Sequence, residues 1–138
     1  MKQGTKQILS AVLLIASVAL ILWLTVLGRE AQEVTPTVYY PFHSLGSFWK
    51  DIQRNGIKGN ILGNILLFIP FGALVRIVSG WRALWKTAAS GFVFSLLIET
   101  VQLLTKRGSF DLDDVLLNVA GTVIGCVIVR AVEVLLKK

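Results

Sequence analysis

The sequence predicts an all-α fold: an integral membrane four-helix bundle with a short amphipathic segment lying in the membrane interface. Three observations support this prediction. Hydrophobic residues make up 54% of the 138 residues and charged residues only 16%, which is far from the composition of a soluble domain. Four apolar stretches are each long enough to cross a hydrocarbon core of about 30 Å as a helix. Polar residues within those stretches recur at helical spacing.

The first span is predicted to be permanent, within a single membrane domain over residues 1–138. The four predicted spans are 8–27, 61–78, 87–104 and 115–136. A cleaved signal peptide is the alternative for the first, but its apolar core would be about 7–15 residues long and end at a small-x-small site. The run here is longer, and Leu27-Gly28-Arg29-Glu30 makes a poor cleavage site.

The longest polar segment, residues 28–59, joins the first two spans. Its first part, through Thr35-Pro36-Thr37 and Pro41, is predicted to be extended or turning. Apolar residues then recur at i, i+3, i+4 and i+7, which predicts a short amphipathic helix in the interface. These residues are Leu45, Phe48, Trp49 and Ile52. A loop packed on the end of the bundle is the alternative.

The third and fourth spans each carry a polar face, and a short charged link joins them. Three residues of the third span fall at i, i+4 and i+7 and therefore share one face: Ser95, Glu99 and Gln102. Four residues of the fourth fall at i, i+4, i+7 and i+11: Asp114, Asn118, Gly121 and Gly125. Two polar faces that meet across a hairpin make a site, and polar groups in lipid are costly enough to indicate a function.

The second span adds amides at the same depth. Asn64 lies about 6 Å below Asn60 at 1.5 Å per helical residue, and Asn118 and Glu99 fall at similar depths on their own helices. A shared layer near one membrane face is therefore predicted, and its side chains suit recognition of a sugar, an amide or a headgroup. The predicted substrate-binding residues are Asn60, Asn64, Glu99, Gln102, Arg107 and Asn118. Small residues nearby would allow close helix approach: Gly63, Gly121 and Gly125.

Glu99 lies well inside a span, where a carboxylate must be neutral, paired or facing water. Two interpretations stay open. Glu99 is either a packing residue that hydrogen-bonds to neighbouring helices, or an acid, a base or a ligand contact. The candidate catalytic residues under the second interpretation are Glu99, Asp111 and Asp114.

The charged link flanks this layer. Arg107 could grip a carboxylate or phosphate through a bidentate pair, and a salt bridge to a neighbouring aspartate is the alternative. Asp111, Asp113 and Asp114 could offer oxygen ligands to a divalent cation, but their spacing matches no calcium loop, so no metal is predicted. Asp111 or Asp113 could instead cap the fourth helix.

Composition excludes several classes of site. The single cysteine, Cys126, allows neither an intramolecular disulfide nor a multi-cysteine metal site, and the single histidine, His43, excludes a multi-histidine site. The net charge of +6 is attributed to orientation in the bilayer rather than to nucleic-acid binding. No cofactor and no nucleic-acid partner are predicted.

Sorting the charges by side predicts the orientation. With four spans, one side receives both termini and the 79–86 link. Its basic residues, opposed by Glu133 alone, are Lys2, Lys6, Arg76, Arg82, Lys86, Arg130, Lys137 and Lys138. On the other side, six basic residues are offset by six acidic ones: Glu30, Glu33, Asp51, Asp111, Asp113 and Asp114. By the positive-inside rule, both termini are predicted to be cytoplasmic.

One ordered set of motifs, over roughly residues 40–130, resembles the VanZ-like family. It consists of Asn60-x3-Asn64 leading into Phe68-x-Pro70-x-Gly72, then Ser95-x3-Glu99-x2-Gln102, then Arg107-x3-Asp111-x-Asp113-Asp114-x3-Asn118-x2-Gly121-x3-Gly125. The family comprises small bacterial membrane proteins named after a teicoplanin-resistance factor. The resemblance implies a multi-pass plasma-membrane protein linked to the cell envelope or to glycopeptide tolerance. It implies no cofactor and no settled catalytic mechanism.

The predicted function is binding of an envelope amphiphile in an outward-facing polar site. The expected ligand is a membrane lipid or a lipid-linked cell-wall precursor, with a glycopeptide as a further candidate. An intramembrane enzyme that uses Glu99 and an aspartate is the first alternative. A small transporter or assembly partner is the second, and a transporter of this size is expected to need homo-oligomers.

Overall fold

The computed structural model describes residues 3–31, 37–39, 60–81 and 83–136, without the side chains of Gln3, Lys6 and Asn60. The elements in chain order are helix α1 (Gln3–Leu22), continued by a π-helical turn (Trp23–Leu27), strand β1 (Val38–Tyr39), helix α2 (Asn60–Ser79), helix α3 (Leu84–Leu104), strand β2 (Phe110–Asp111) and helix α4 (Leu112–Leu135). Four helical stretches are long and apolar enough to cross a membrane. The predicted all-α architecture is therefore confirmed.

All four helices begin before the predicted spans: α1 starts at Gln3 rather than at residue 8, and α2 at Asn60 rather than at Ile61. α3 starts at Leu84 rather than at Thr87, and α4 starts at Leu112 rather than at Val115. The residues expected to end the acidic link therefore form the first turn of α4. The predicted interfacial helix, with Leu45, Phe48, Trp49 and Ile52, lies outside the described residues, as does His43.

The early start of α4 has a local cause in Asp111, which is its N-cap. Asp111 Oδ1 accepts a hydrogen bond from the Asp113 backbone N–H at 2.9 Å. This bond satisfies one of the donors that a first helical turn leaves unpaired. Asp113 and Asp114 follow in the first turn, where negative charge is favourable. The capping alternative for Asp111 is thus confirmed.

α2 and α4 approach each other closely, because glycines remove side chains from the contact. Gly121 packs on the carbonyl oxygen of Ile65 and Gly125 on that of Ile69, so closely that a Cβ at either glycine would overlap the backbone. The predicted close approach is confirmed for these two glycines. At Gly63, by contrast, an added Cβ would have no described atom within 4 Å apart from its own helix.

Aromatic rings fill the space between α2 and α3. The rings of Phe71 and Phe94 are stacked with centroids 5.0 Å apart, and Phe68 packs against both. Ile21 of α1 and Ile98 of α3 complete this apolar core. The core joins α1, α2 and α3.

One end of the bundle, here called the loop end, holds the end of α1, the start of α2, the end of α3 and the start of α4. Strands β1 and β2 pair there in parallel, with Val38 opposite Phe110 and Tyr39 opposite Asp111. This pairing was not predicted, although the extended conformation is confirmed at residues 37–39. It brings Tyr39 beside the start of α4.

The opposite end holds the turn between α2 and α3 and the last turns of α4. Arg76 Nη2 there forms an ion pair with the Glu133 carboxylate, and Arg76 Nη1 donates a hydrogen bond to the Trp81 carbonyl oxygen at 3.2 Å. Arg76 is buried and Glu133 is half-exposed. Among the described residues this is the only ion pair, and it ties α2 to α4.

Candidate functional site

A polar cavity of about 560 Å³ opens at the loop end. Its walls come from the end of α1, strand β1, the end of α3, the link and the start of α4. The lining residues are Arg29, Glu30, Ala31, Tyr39, Gln102, Arg107, Gly108, Ser109, Asp111 and Asp114. The third and fourth helices therefore bring four of the predicted site residues to one cavity: Gln102, Arg107, Asp111 and Asp114.

Gln102 and Arg107 both bind the end of α1. Gln102 Nε2 donates a hydrogen bond to the Thr25 carbonyl oxygen at 2.9 Å, and Arg107 Nη1 donates one to the Val26 carbonyl oxygen at 3.3 Å. These carbonyls lie in the last helical turn, where acceptors generally lack intrahelical partners, and the Val26 oxygen also accepts the Arg29 backbone N–H at 3.4 Å. Both side chains thus fix α1 against α3 while they line the cavity. This contact differs from either alternative considered for Arg107, anion capture or a salt bridge.

A π-helical turn, Trp23–Leu27, carries those carbonyls. Gly28 N–H bonds to the Trp23 carbonyl oxygen at 2.6 Å, five residues back, and Thr25 Oγ1 donates to the Ile21 carbonyl oxygen at 2.7 Å. The wider turn changes the direction of the carbonyls that follow. π-helical turns are frequent at functional sites, and this one ends at the rim of the cavity.

Glu99 lies directly behind the cavity wall. Its side chain is 2% exposed, and Glu99 Oε2 accepts a hydrogen bond from the Asp111 backbone N–H at 3.0 Å. Glu99 therefore holds the residue that caps α4, and Glu99 itself does not line the cavity. The buried carboxyl group thus has a backbone hydrogen-bond donor, which offsets part of the cost of its burial.

Asp114 lies at the cavity, with Asn64 of α2 beside it. Asp114 is half-buried. Asn64 Nδ2 is buried and has no hydrogen-bond partner within 3.5 Å among the described residues. An amide donor and a carboxylate thus face each other from two helices at the edge of the cavity.

Asn118 lies deeper, between α3 and α4. Asn118 Nδ2 donates a hydrogen bond to Ser95 Oγ at 2.8 Å, and its Oδ1 has no partner among the described residues. The side chain is 3% exposed. The two polar faces therefore meet as predicted, but in two tiers: Asp111 and Asp114 at the cavity, and Asn118 with Ser95 below it. The side chain of Asn60 lies outside the described residues.

Charges of both signs surround the cavity. Arg29, at the end of α1, lies near both Glu99 and Asp114, and Asp111 and Asp114 lie near Glu99. No ion pair joins these groups within 4.0 Å among the described residues. The cavity wall thus presents both guanidinium and carboxylate groups, and Arg29 and Asp114 are not in contact with each other.

The described residues do not support a metal site at Asp111, Asp113 and Asp114. In the part of the chain that the structure describes, no group of three or more histidine, cysteine, aspartate or glutamate side chains could hold a metal ion. The reason is local: Asp111 Oδ1 is occupied by the Asp113 N–H, and the Asp113 side chain is fully buried. These aspartates begin a helix and do not converge.

Several lining residues were not predicted, and Arg29 is the most important of them. Arg29 is the first charge after the first span, on the same side as Arg107. That position was a signal, because the ends of the first and third spans must emerge at the same membrane face. Tyr39 and Ser109 carried no comparable signal, since their positions depend on the β1–β2 pairing.

A model of the VanZ/LLP1 family matches residues 10–135 of the chain. The matched range includes every cavity-lining residue, from Arg29 to Asp114. No significant match is found among curated proteins or among solved structures.

Proposed function

The chain belongs to the VanZ/LLP1 family, and we propose that this multi-pass membrane protein binds an envelope amphiphile in its loop-end cavity. The amphiphile is a membrane lipid or a lipid-linked cell-wall precursor. Its headgroup occupies the cavity, and its chains stay in the bilayer beside the helices. Such binding would be the route by which the protein contributes to tolerance of teicoplanin-type glycopeptides.

The cavity carries this proposal, because its charged wall lies next to an apolar exterior. Gln102 lines the cavity, and Leu104, two residues later, is 76% exposed. Leu27 is exposed in the same way next to Arg29. A polar cavity of several hundred cubic ångströms with an apolar rim suits a molecule that has a polar head and apolar chains.

An outward orientation of the loop end is part of the proposal. The opposite end carries basic residues on three helices, including Arg76, Lys86 and Arg130, while the basic residues of the loop end are offset by acids. The positive-inside rule then favours a cytoplasmic location for the opposite end. The cavity would face the outer leaflet, where envelope precursors and glycopeptides meet.

The test is retention of lipid by the purified protein. Full-length protein is extracted in a mild detergent, and the bound lipid is measured by native mass spectrometry. Ser109→Trp fills the cavity without removing a charge, because Ser109 is a neutral lining residue. We expect it to reduce bound lipid roughly tenfold, equivalent to about 1.4 kcal/mol of binding free energy.

Leu104→Trp is the matched control, because it adds the same side chain at the same end on an exposed exterior position. It should retain the lipid of the parent protein. Equal retention by both tryptophan variants and the parent would contradict binding in the cavity.

The enzymatic alternative, with Glu99 and an aspartate as acid and base, has less support from the contacts. Glu99 Oε2 is engaged by the Asp111 N–H, and the cavity wall separates Glu99 from a bound molecule. An enzyme would release an altered lipid or cell-wall precursor during incubation, whereas a binding protein would return it unchanged. Mass spectrometry of the extracted lipid distinguishes the two.

A further inference from the structure

The charges of the cavity come from different parts of the chain. Arg29 follows α1 and Arg107 follows α3, whereas Asp111 and Asp114 stand at the start of α4. The one ion pair among the described residues, Arg76 with Glu133, lies at the opposite end of the bundle. With Glu30, which follows Arg29 at the end of α1, the cavity is lined by two cationic and three anionic side chains, and no contact within 4.0 Å between described residues joins Arg29 or Arg107 to Asp114.

The cationic groups suit a phosphate. A guanidinium presents several N–H donors in a planar fork, which matches phosphate oxygens. Arg107 uses Nη1 for the Val26 carbonyl oxygen, which fixes the side chain while other donors remain. Arg29 is exposed, and its Nη1 lies near Gly108, where a Cβ would be 3.4 Å away. Both groups therefore border the same wall of the cavity.

The anionic groups suit a cation with N–H donors. Asp114 lines the cavity, and the side chains of Glu30 and Asp111, which line it as well, add to the negative potential there. A purely anionic headgroup would face this potential and be repelled. Tyr39 is the only aromatic residue among the described lining residues, and recognition of a quaternary ammonium usually needs an aromatic cage. A primary ammonium group therefore fits better than a choline group.

We propose that the cavity selects a zwitterionic phosphate–ammonium headgroup, with the phosphate at Arg29 and Arg107 and the primary ammonium at Asp114. This inference rests on the proposed binding of an amphiphile and adds the charge pattern of that amphiphile. A lipid of the phosphatidylethanolamine type carries both groups. A water-soluble molecule with the same headgroup, such as glycerophosphoethanolamine, carries them without the chains.

The experiment compares three lipids with identical acyl chains on the full-length protein. Phosphatidylethanolamine, phosphatidylglycerol and phosphatidylcholine are titrated into the delipidated protein, and bound lipid is measured by native mass spectrometry. We expect the Kd of phosphatidylethanolamine to be roughly tenfold lower than that of either of the others. Equal Kd values for the three lipids would overturn the zwitterion inference.

Two variants separate the two ends of the headgroup. Arg29→Gln should weaken binding of phosphatidylethanolamine and of phosphatidylglycerol alike, because both carry the phosphate. Asp114→Asn should weaken only phosphatidylethanolamine, and binding of phosphatidylglycerol should stay the same or become tighter. Lys106→Gln is the control, since Lys106 is an exposed charge of the same link outside the cavity lining. An Asp114→Asn variant with unchanged preference among the lipids would contradict the ammonium contact.

Competition distinguishes the headgroup from simpler ions and from the chains. Glycerophosphoethanolamine should displace bound phosphatidylethanolamine, and inorganic phosphate should do so much less well. Equal displacement by inorganic phosphate would overturn the ammonium contact, and no displacement by glycerophosphoethanolamine would overturn headgroup recognition. If no lipid binds the parent more tightly than it binds Ser109→Trp, the proposed function itself fails. If lipids bind in the cavity but phosphatidylethanolamine is not preferred, only the headgroup inference fails and the proposed function remains.

Discussion

Glu99 influences the cavity through the backbone that it holds. Its carboxylate accepts a hydrogen bond from the Asp111 N–H, and Asp111 in turn caps α4 and lines the cavity. Glu99 is therefore a positioning residue in this structure. Replacing it tests whether the acceptor or the negative charge matters, because the two can be removed separately.

We expect Glu99→Gln to keep the fold and the lipid binding, since the amide oxygen can accept the same hydrogen bond. Its cost in the free energy of unfolding should be roughly 0–2 kcal/mol, the range for polar contacts between membrane helices. Glu99→Leu leaves the Asp111 N–H without an acceptor and should cost about 1–3 kcal/mol. Thermal unfolding in detergent and hydrogen exchange at the start of α4 measure both effects.

The same pair of variants also tests acid–base chemistry. If the Gln variant is stable and binds lipid but loses its activity in cells, ionisation of Glu99 is needed, and the enzymatic alternative gains support. Full cellular activity of the Gln variant at normal abundance would exclude a role for its ionisation.

Residue faces were predictable from the sequence, whereas contacts across helix ends were not. Ser95, Glu99 and Gln102 share one buried face, because helical periodicity depends only on spacing. The Gln102 contact with Thr25 depends on the π-helical turn of α1, for which the apolar run gave no sign. The place of Arg29 at the cavity could be inferred from topology, since the first and third spans end at the same face, but not from periodicity.

At the scale of elements, the α2–α4 contact supports the site from below. Gly121 and Gly125 let α4 lie against the backbone of α2, and this contact brings Asn64 beside Asp114. Close packing of this kind tolerates little added volume. A disturbance low in the interface is therefore expected to reach the cavity through the orientation of α4.

We expect Gly125→Ala to destabilise the protein, because the new methyl group would overlap the Ile69 carbonyl oxygen. Overpacking of this kind costs about 1–3 kcal/mol. The matched control is Gly63→Ala on α2, where no described atom lies within 4 Å. There alanine, a better helix former than glycine, should leave the free energy of unfolding unchanged or raise it by about 0.5–1 kcal/mol. Melting temperatures of both variants in the same detergent provide the comparison. Equal melting temperatures would show that the α2–α4 contact accommodates the methyl group without loss of stability.

The boundaries of the elements show where sequence patterns stop being informative. Hydropathy located the four helices that are long and apolar enough to cross a membrane, since each is a long apolar run. It placed the start of α4 too late, because the hydrogen bonds of Asp111 extend the helix into a charged stretch. The parallel pairing of β1 with β2 involves two residues on each strand, too few for any alternation to be detected.

At the scale of the whole molecule, the distribution of basic residues predicts a cavity open to the outside. Single cysteines at Ser109 in the cavity wall and at exposed Ser79 at the opposite end test this. The native Cys126 is buried, so it gives little background. In intact cells an impermeant thiol reagent should label the Ser109→Cys protein and spare the Ser79→Cys protein. Labelling of the Ser79→Cys protein alone would reverse the orientation.

Because the exposed charges of the cavity and the buried ion pair lie at opposite ends, ionic strength should affect ligand binding more than the stability of the bundle. The Debye length falls from about 10 Å at 0.1 M salt to about 3 Å at 1 M, and this screening acts most strongly on groups in contact with water. Arg29 is exposed at the cavity, whereas Arg76 at the opposite end is buried against its partner. Added salt should therefore release a charged headgroup from the cavity while leaving the melting temperature of the bundle nearly constant. The protein would therefore bind its ligand most tightly at low salt concentration.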